Sequence, residues 1–137
     1  MGATLKKVFC SDWCKSKACI EEALAEFNNQ KEKGFARSID EYYFRLALDE
    51  LLTNAIVHGN NCNKQKRIFL EIEFSRKKVR ICVGDEGNVG FPFEIPNPTC
   101  RELQMKRGGR GLFLLKSLGS LTWDEDHKRI VVELGTI

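Results

Sequence analysis

Hydrophobic and polar positions divide the chain into two helical stretches, paired strand stretches and one long aperiodic segment. Residues 4 to 10 form a short candidate first strand. From about Lys15 to Lys33, Ile20, Leu24 and Phe27 recur at i, i+4, i+7, a helical period that Gly34 is placed to stop. Ser38-Ile39-Asp40-Glu41 reads as a capping box, with Ser38 as cap, for a helix running to about His58 and ending near Gly59. Asn60 to Lys66 is polar and turn-rich. Ile68, Leu70, Ile72 and Phe74 then alternate with Phe69, Glu71 and Glu73, the period of a strand. After a charged turn, Val79, Ile81 and Val83 take one face of a second strand, with Arg80 and Cys82 on the other. Leu112 to Leu118 is apolar enough for a buried helix, and Leu121 to Trp123 and Ile130 to Leu134 make a hairpin across Asp124 to Lys128.

From Asn88 to Arg110 periodicity is lost. That stretch holds all three prolines, and five of the eleven glycines cluster between Gly84 and Gly109. A connection of about 20 residues without its own secondary structure is uncommon inside a compact domain and usually marks a functional lid. The lid is therefore expected at about 88–110, within a single domain spanning 1–137.

Composition changes this picture little. With 137 residues and 42% hydrophobic content, the chain can bury a core without staples. A formal net charge of +3, with no basic run interleaved with aromatics, argues against a nucleic-acid partner. The N-terminus lacks the apolar core of a signal peptide, and no stretch is long enough for a membrane span, so a cytoplasmic protein without a membrane partner is expected. Lys6 stands where a myristoylation signal needs a hydroxyl residue. The six cysteines form no C-x-x-C pair, and the spacing of Cys10, Cys14 and Cys19 matches no common zinc knuckle, so reduced thiols are expected.

The candidate chemistry begins on the helix before Gly59. Phe44, Leu48, Leu51, Leu52 and Ala55 form its core stripe, and Arg45, Asp49 and Thr53 form a polar strip. Glu50 and Asn54, four residues apart, lie on neither; they share an arc with Tyr43, Leu46, Ala47 and Val57. A carboxylate in apolar surroundings needs a metal ion, a ligand or a dense hydrogen-bond set; a structural cap or a buried ion pair answers the same need. Burial there would raise the pKa of Glu50, as a general base requires. The strand period puts Asp85 on the apolar face with Val79, Ile81 and Val83, where it offers a carboxylate to a ligand or simply forms the turn into Glu86-Gly87. Finally, Arg107-Gly108-Gly109-Arg110-Gly111 leads into the apolar helix, and free N–H groups at a helix start suit phosphate, with Arg107 and Arg110 adding charge. Asn54 carries an oxygen donor of the kind Mg²⁺ prefers.

The order and spacing of these three segments resemble the ATPase superfamily of gyrase, the ninety-kilodalton heat-shock chaperones, histidine kinases and mismatch-repair proteins (GHKL). The N box of that superfamily matches E-L-L-T-N-A-I-V-H-G at 50 to 59. Its first glycine box resembles D-E-G-N-V-G-F at 85 to 91, and its second resembles R-G-G-R-G-L-F-L-L at 107 to 115. Within the superfamily the pattern is most similar to the anti-sigma factor serine/threonine kinases of bacterial partner-switching systems, over about residues 15 to 135. One departure is local: two residues, Asn88 and Val89, separate Gly87 from Gly90 where the family pattern has one.

The resemblance implies a histidine-kinase-like ATPase (Bergerat) fold. This is a two-layer α/β (α+β) sandwich with a mixed, mainly antiparallel sheet and three helices on one face. It implies ATP and Mg²⁺ as cofactors, Glu50 as general base and Asn54 as Mg²⁺ ligand. Asp85 would read adenine, while Gly87 and Gly90 allow backbone approach to the nucleotide and Gly109, Arg110 and Gly111 hold phosphates. The implied partners are an anti-anti-sigma (STAS-domain) substrate, a sigma factor and a second copy of the chain in a homodimer. The irregular glycine box supports a different class of function, a non-catalytic binding module that uses nucleotide only to shape a partner surface. The detached catalytic domain of a histidine kinase is a weaker match, because neither His58 nor His127 sits in a phosphoacceptor context.

Overall fold

The computed structural model describes residues 3–60, 62–87 and 119–135. In chain order these form strand β1 (Thr4–Cys10), helix α1 (Trp13–Glu32), helix α2 (Glu41–Asn54) and a π-helical turn (Ala55–Gly59). Strands β2 (Arg67–Phe74), β3 (Lys78–Asp85), β4 (Gly119–Asp124) and β5 (Arg129–Gly135) follow. The five strands make one sheet in the order β1-β2-β3-β5-β4. All four pairings are antiparallel, so the expected mixed, mainly antiparallel sheet contains no parallel pair among the described residues. The expected lid at 88–110 and the expected third helix, Leu112 to Leu118, lie outside the described residues.

Helix α1 starts where Asp12, in extended conformation, accepts hydrogen bonds from the Cys14 and Lys15 N–H groups at 2.8 and 3.3 Å. Those two donors hold the Asp12 carboxyl below its usual range. Helix α2 corrects the capping-box expectation. Its cap is Asp40, which accepts from Tyr42 N–H at 2.9 Å, rather than Ser38. Helical geometry begins only at Glu41, so Ser38 stands two residues too early to reach the first free amides. Freed from the box, the Glu41 carboxylate accepts from Asn28 Nδ2 of α1 at 3.2 Å.

The core lies between the two helices and one face of the sheet. Phe27 of α1 stacks on Phe44 of α2 with ring centroids 4.4 Å apart, and Phe44 meets Phe74 of β2 at 6.1 Å. The expected stripe of α2, Phe44, Leu48, Leu51, Leu52 and Ala55, is buried throughout. So are the alternating residues Ile68, Leu70, Ile72 and Phe74 of β2 and Val79, Ile81 and Val83 of β3. Each such side chain contributes about 1.5–3 kcal/mol by leaving water. On the opposite face, Arg129 lies 3.2 Å from both Glu71 and Asp124. Arg80 lies between Glu73 and Glu133 at 3.6 and 3.9 Å, beside the buried thiol of Cys82. A charged lattice on one face and an apolar layer on the other explain why, among the described residues, the helices pack on the apolar side.

Candidate functional site

The site is built where α2 runs out against the end of β3. The sequence suggests one helix to about His58, but the α-helix ends at Asn54 and the backbone widens into the π-turn Ala55–Gly59. Asn60 N–H closes this turn on the Ala55 carbonyl at 2.7 Å. Such single wide turns appear mostly within or at the ends of α-helices, frequently at functional sites. Here the turn delivers Gly59 to the last residue of β3.

Glu50 and Asn54 are both half-buried on α2. The Oε2 atom of Glu50 is sealed from solvent. The arc around them is graded: Tyr43 is exposed at 36%, Leu46 and Val57 pack partly against the core, and Ala47 is fully buried. The Glu50 carboxylate therefore stands at the boundary between the apolar layer and the surface.

Asp85 sits opposite Ile68 in the ladder and is half-buried, on the apolar face as the strand period predicts. Burial pushes its carboxyl above the ordinary aspartate value; a hydrogen bond from Gly87 N–H to Oδ1 at 2.9 Å and the charge of Lys66 work against that shift. The two glycines beside it are sterically required. A Cβ on Gly59 would lie 1.9 Å from Asp85 Oδ2, and a Cβ on Gly87 would lie 1.7 Å from the Gly59 carbonyl oxygen. Two segments of backbone and a carboxylate thus meet with no room for a methyl group. Asp85, Gly87 and Gly59 are brought together, at the end of the helix that carries Glu50 and Asn54. The remaining predicted site residues, Gly90, Arg107, Gly109, Arg110 and Gly111, lie outside the described residues.

Sequence reasoning missed Asn60, read there only as part of a polar turn. It is fully buried. Its Oδ1 accepts the Glu86 N–H at 2.8 Å, and its Nδ2 donates to Ser11 Oγ at 2.8 Å and to the Arg67 carbonyl at 2.9 Å. Glu86 in turn accepts from Arg67 N–H at 2.6 Å and from its guanidinium at 3.1 Å, which holds the Glu86 carboxyl below its usual range. The available signal was weak: an asparagine directly after a helix-ending glycine is most often a solvated turn residue.

This arrangement offers a half-buried carboxylate that can accept from an amine, held against closely packed glycine backbone, and, on α2, an amide oxygen one helical turn from a second carboxylate. Such a donor set suits a purine with an exocyclic amine and a magnesium phosphate. A family model described as the histidine kinase-like ATPase domain matches residues 11–132. Comparison with curated proteins returns no match.

Proposed function

The chain belongs to the histidine kinase-like ATPase domain family, and we propose that within it the chain is an ATP-dependent protein serine/threonine kinase and anti-sigma factor. Its substrate would be an anti-anti-sigma (STAS-domain) protein, and its alternative partner a sigma factor. The observation that carries this reading is Glu50: a carboxylate with one oxygen sealed from solvent, one helical turn ahead of Asn54, on the helix whose following π-turn meets Asp85. A domain that merely bound nucleotide would gain little from such a group, because a base adds rate and hardly any ground-state affinity.

In this reading Asp85 accepts from the exocyclic amine of adenine, and Gly87 and Gly90 let the backbone approach the nucleotide. Asn54 would hold Mg²⁺ through its side-chain oxygen; the ion, when bound, neutralises phosphate charge. Glu50 takes the proton of a partner serine or threonine hydroxyl as that oxygen bonds to the γ-phosphorus and the bond to the ADP leaving group breaks. Gly109, Arg110 and Gly111 would hold the phosphates, with Arg107 adding charge against them. A homodimer and a cytoplasmic location belong to the same proposal; among the described residues no helix is long and apolar enough to cross a membrane.

The second reading, a nucleotide-regulated binding module, draws on the extra residue between Gly87 and Gly90. One experiment separates the two: titration with ATP and Mg²⁺ by calorimetry, followed by γ-phosphoryl transfer to a STAS-domain protein of the same organism. Binding with transfer that Glu50→Ala abolishes is the expected result. Binding without any transfer favours the module, and no binding at millimolar ATP removes both.

A further inference from the structure

We infer that Asn60 is a positioning residue that holds the Asp85–Gly87 turn in the conformation in which Asp85 can read a nucleobase. The inference rests on the adenine-reading role proposed above for Asp85 and extends it to a residue that touches no ligand.

Asn60 is fully buried, and three segments converge on its side-chain amide. Its orientation is fixed by its partners. The Glu86 N–H can only donate and so faces Oδ1, at 2.8 Å; the Arg67 carbonyl can only accept and so faces Nδ2, at 2.9 Å. Ser11 Oγ takes the second Nδ2 proton at 2.8 Å. Glu86 is the residue between Asp85 and Gly87, and it lies past the last rung of the sheet, where Asp85 pairs with Ile68. No ladder hydrogen bond therefore fixes its amide. Asn60 supplies that bond and ties the turn to the start of β2 and to the connection between β1 and α1. The same residue closes the π-turn through its own N–H to the Ala55 carbonyl at 2.7 Å. One side chain and its backbone thus link the π-turn after the Glu50 helix to the turn that follows Asp85. The close fit of Gly59 against Asp85 leaves little tolerance for drift between those two segments.

The test compares ADP and GDP affinities, measured by calorimetry at 10 °C, in wild type, Asn60→Ala and Asn60→Ser. The control is Gln30→Ala. Gln30 is also buried, with Nε2 donating to Glu26 Oε1 at 2.6 Å, but it lies about 25 Å along α1 from Trp13 at the 1.5 Å rise of a helix. Wild type is expected to prefer ADP, and Asn60→Ala to lose that preference by about tenfold or more while its circular dichroism remains native. Gln30→Ala is expected to lose thermal stability and keep the preference, which separates positioning from general weakening. If Asn60→Ala is unfolded at 10 °C, Asn60→Ser is read in its place. In the wild-type chain the Glu86 amide is expected to exchange slowly with solvent, and fast exchange overturns the inference without any variant. A folded Asn60 variant with an undiminished ADP preference also overturns it, provided wild type prefers ADP and Asp85→Asn removes that preference. Absence of ADP preference in wild type instead overturns the adenine reading on which the inference stands.

Discussion

Gly59 and Asp85 are in contact with no space between them: a Cβ added to the glycine would sit 1.9 Å from the carboxylate oxygen Oδ2. One residue ends the π-turn after α2 and the other ends β3, so this contact joins the two elements that carry the candidate base and the candidate base-reader. Gly59→Ala must therefore move either the carboxylate or the turn. Overpacking of this kind typically costs about 1–3 kcal/mol. A lower melting temperature is expected, together with at least a tenfold loss of ADP affinity by calorimetry. Wild-type affinity in a folded Gly59→Ala protein would separate the contact from the nucleotide site.

Asp85→Asn is expected to separate binding from stability. Burial raises the Asp85 pKa above 3.8, so the fold favours the protonated form. The stability this group contributes is fully present below its unfolded pKa and is lost as pH rises through the folded value. At pH 7 the charge is thus a cost, which Asn removes while still accepting from Gly87 N–H. The melting temperature of Asp85→Asn should equal or exceed wild type at pH 7, and the gap should close toward pH 3. Adenine affinity should fall about tenfold, the value of one hydrogen bond to a charged group. A variant that melts well below wild type at pH 7 would contradict this account.

Nucleotide affinity itself should depend on acid. If Asp85 reads an amine, its ionised form is the stronger acceptor, so ADP affinity is expected to decline on acidification at a pH above the ordinary aspartate value of 3.8. Calorimetric titrations from about pH 4, near the ordinary aspartate pKa, up to neutrality would reveal the decline. A flat profile that Asp85→Asn leaves unchanged would assign recognition to other groups.

Glu50→Gln preserves the size of the side chain and removes its basicity. Phosphoryl transfer is expected to fall by about 10²- to 10⁴-fold, with ATP affinity changed less than about threefold. Parallel loss of binding and transfer would make Glu50 a structural group.

Glu86 gives the opposite pH signature from Asp85. Hydrogen bonds from the Arg67 side chain and N–H hold its carboxyl below 4.5. Its contribution to stability is present above the unfolded pKa and is lost as pH falls through the depressed folded value. Glu86→Gln should therefore leave a shallower acid limb in a plot of melting temperature against pH. An unaltered limb would show that the Arg67–Glu86 pair is solvated away.

Much of this molecule is legible from local pattern. The period of two in Ile68–Phe74 and Val79–Asp85, the i, i+4 spacing of the α2 stripe, and the half-burial of Glu50 and Asn54 beside it all follow from where apolar side chains must go. Even the placement of Asp85 on the apolar face comes from counting along one strand. Each of these is a property of a few neighbouring residues and elementary geometry. Tertiary structure decided the rest. Ser38 and Asp40 both have capping chemistry, and only the exact entry of α2 against α1 selects Asp40 and frees Glu41 for Asn28. The π-turn is invisible in composition, because a helix widens when its end must meet a strand from elsewhere in the chain. Asn60 looked like a solvated turn residue because its partners, Ser11, Arg67 and Glu86, are up to 49 positions away in sequence. A buried amide is specified by what surrounds it in space, and that information enters only when the sheet assembles.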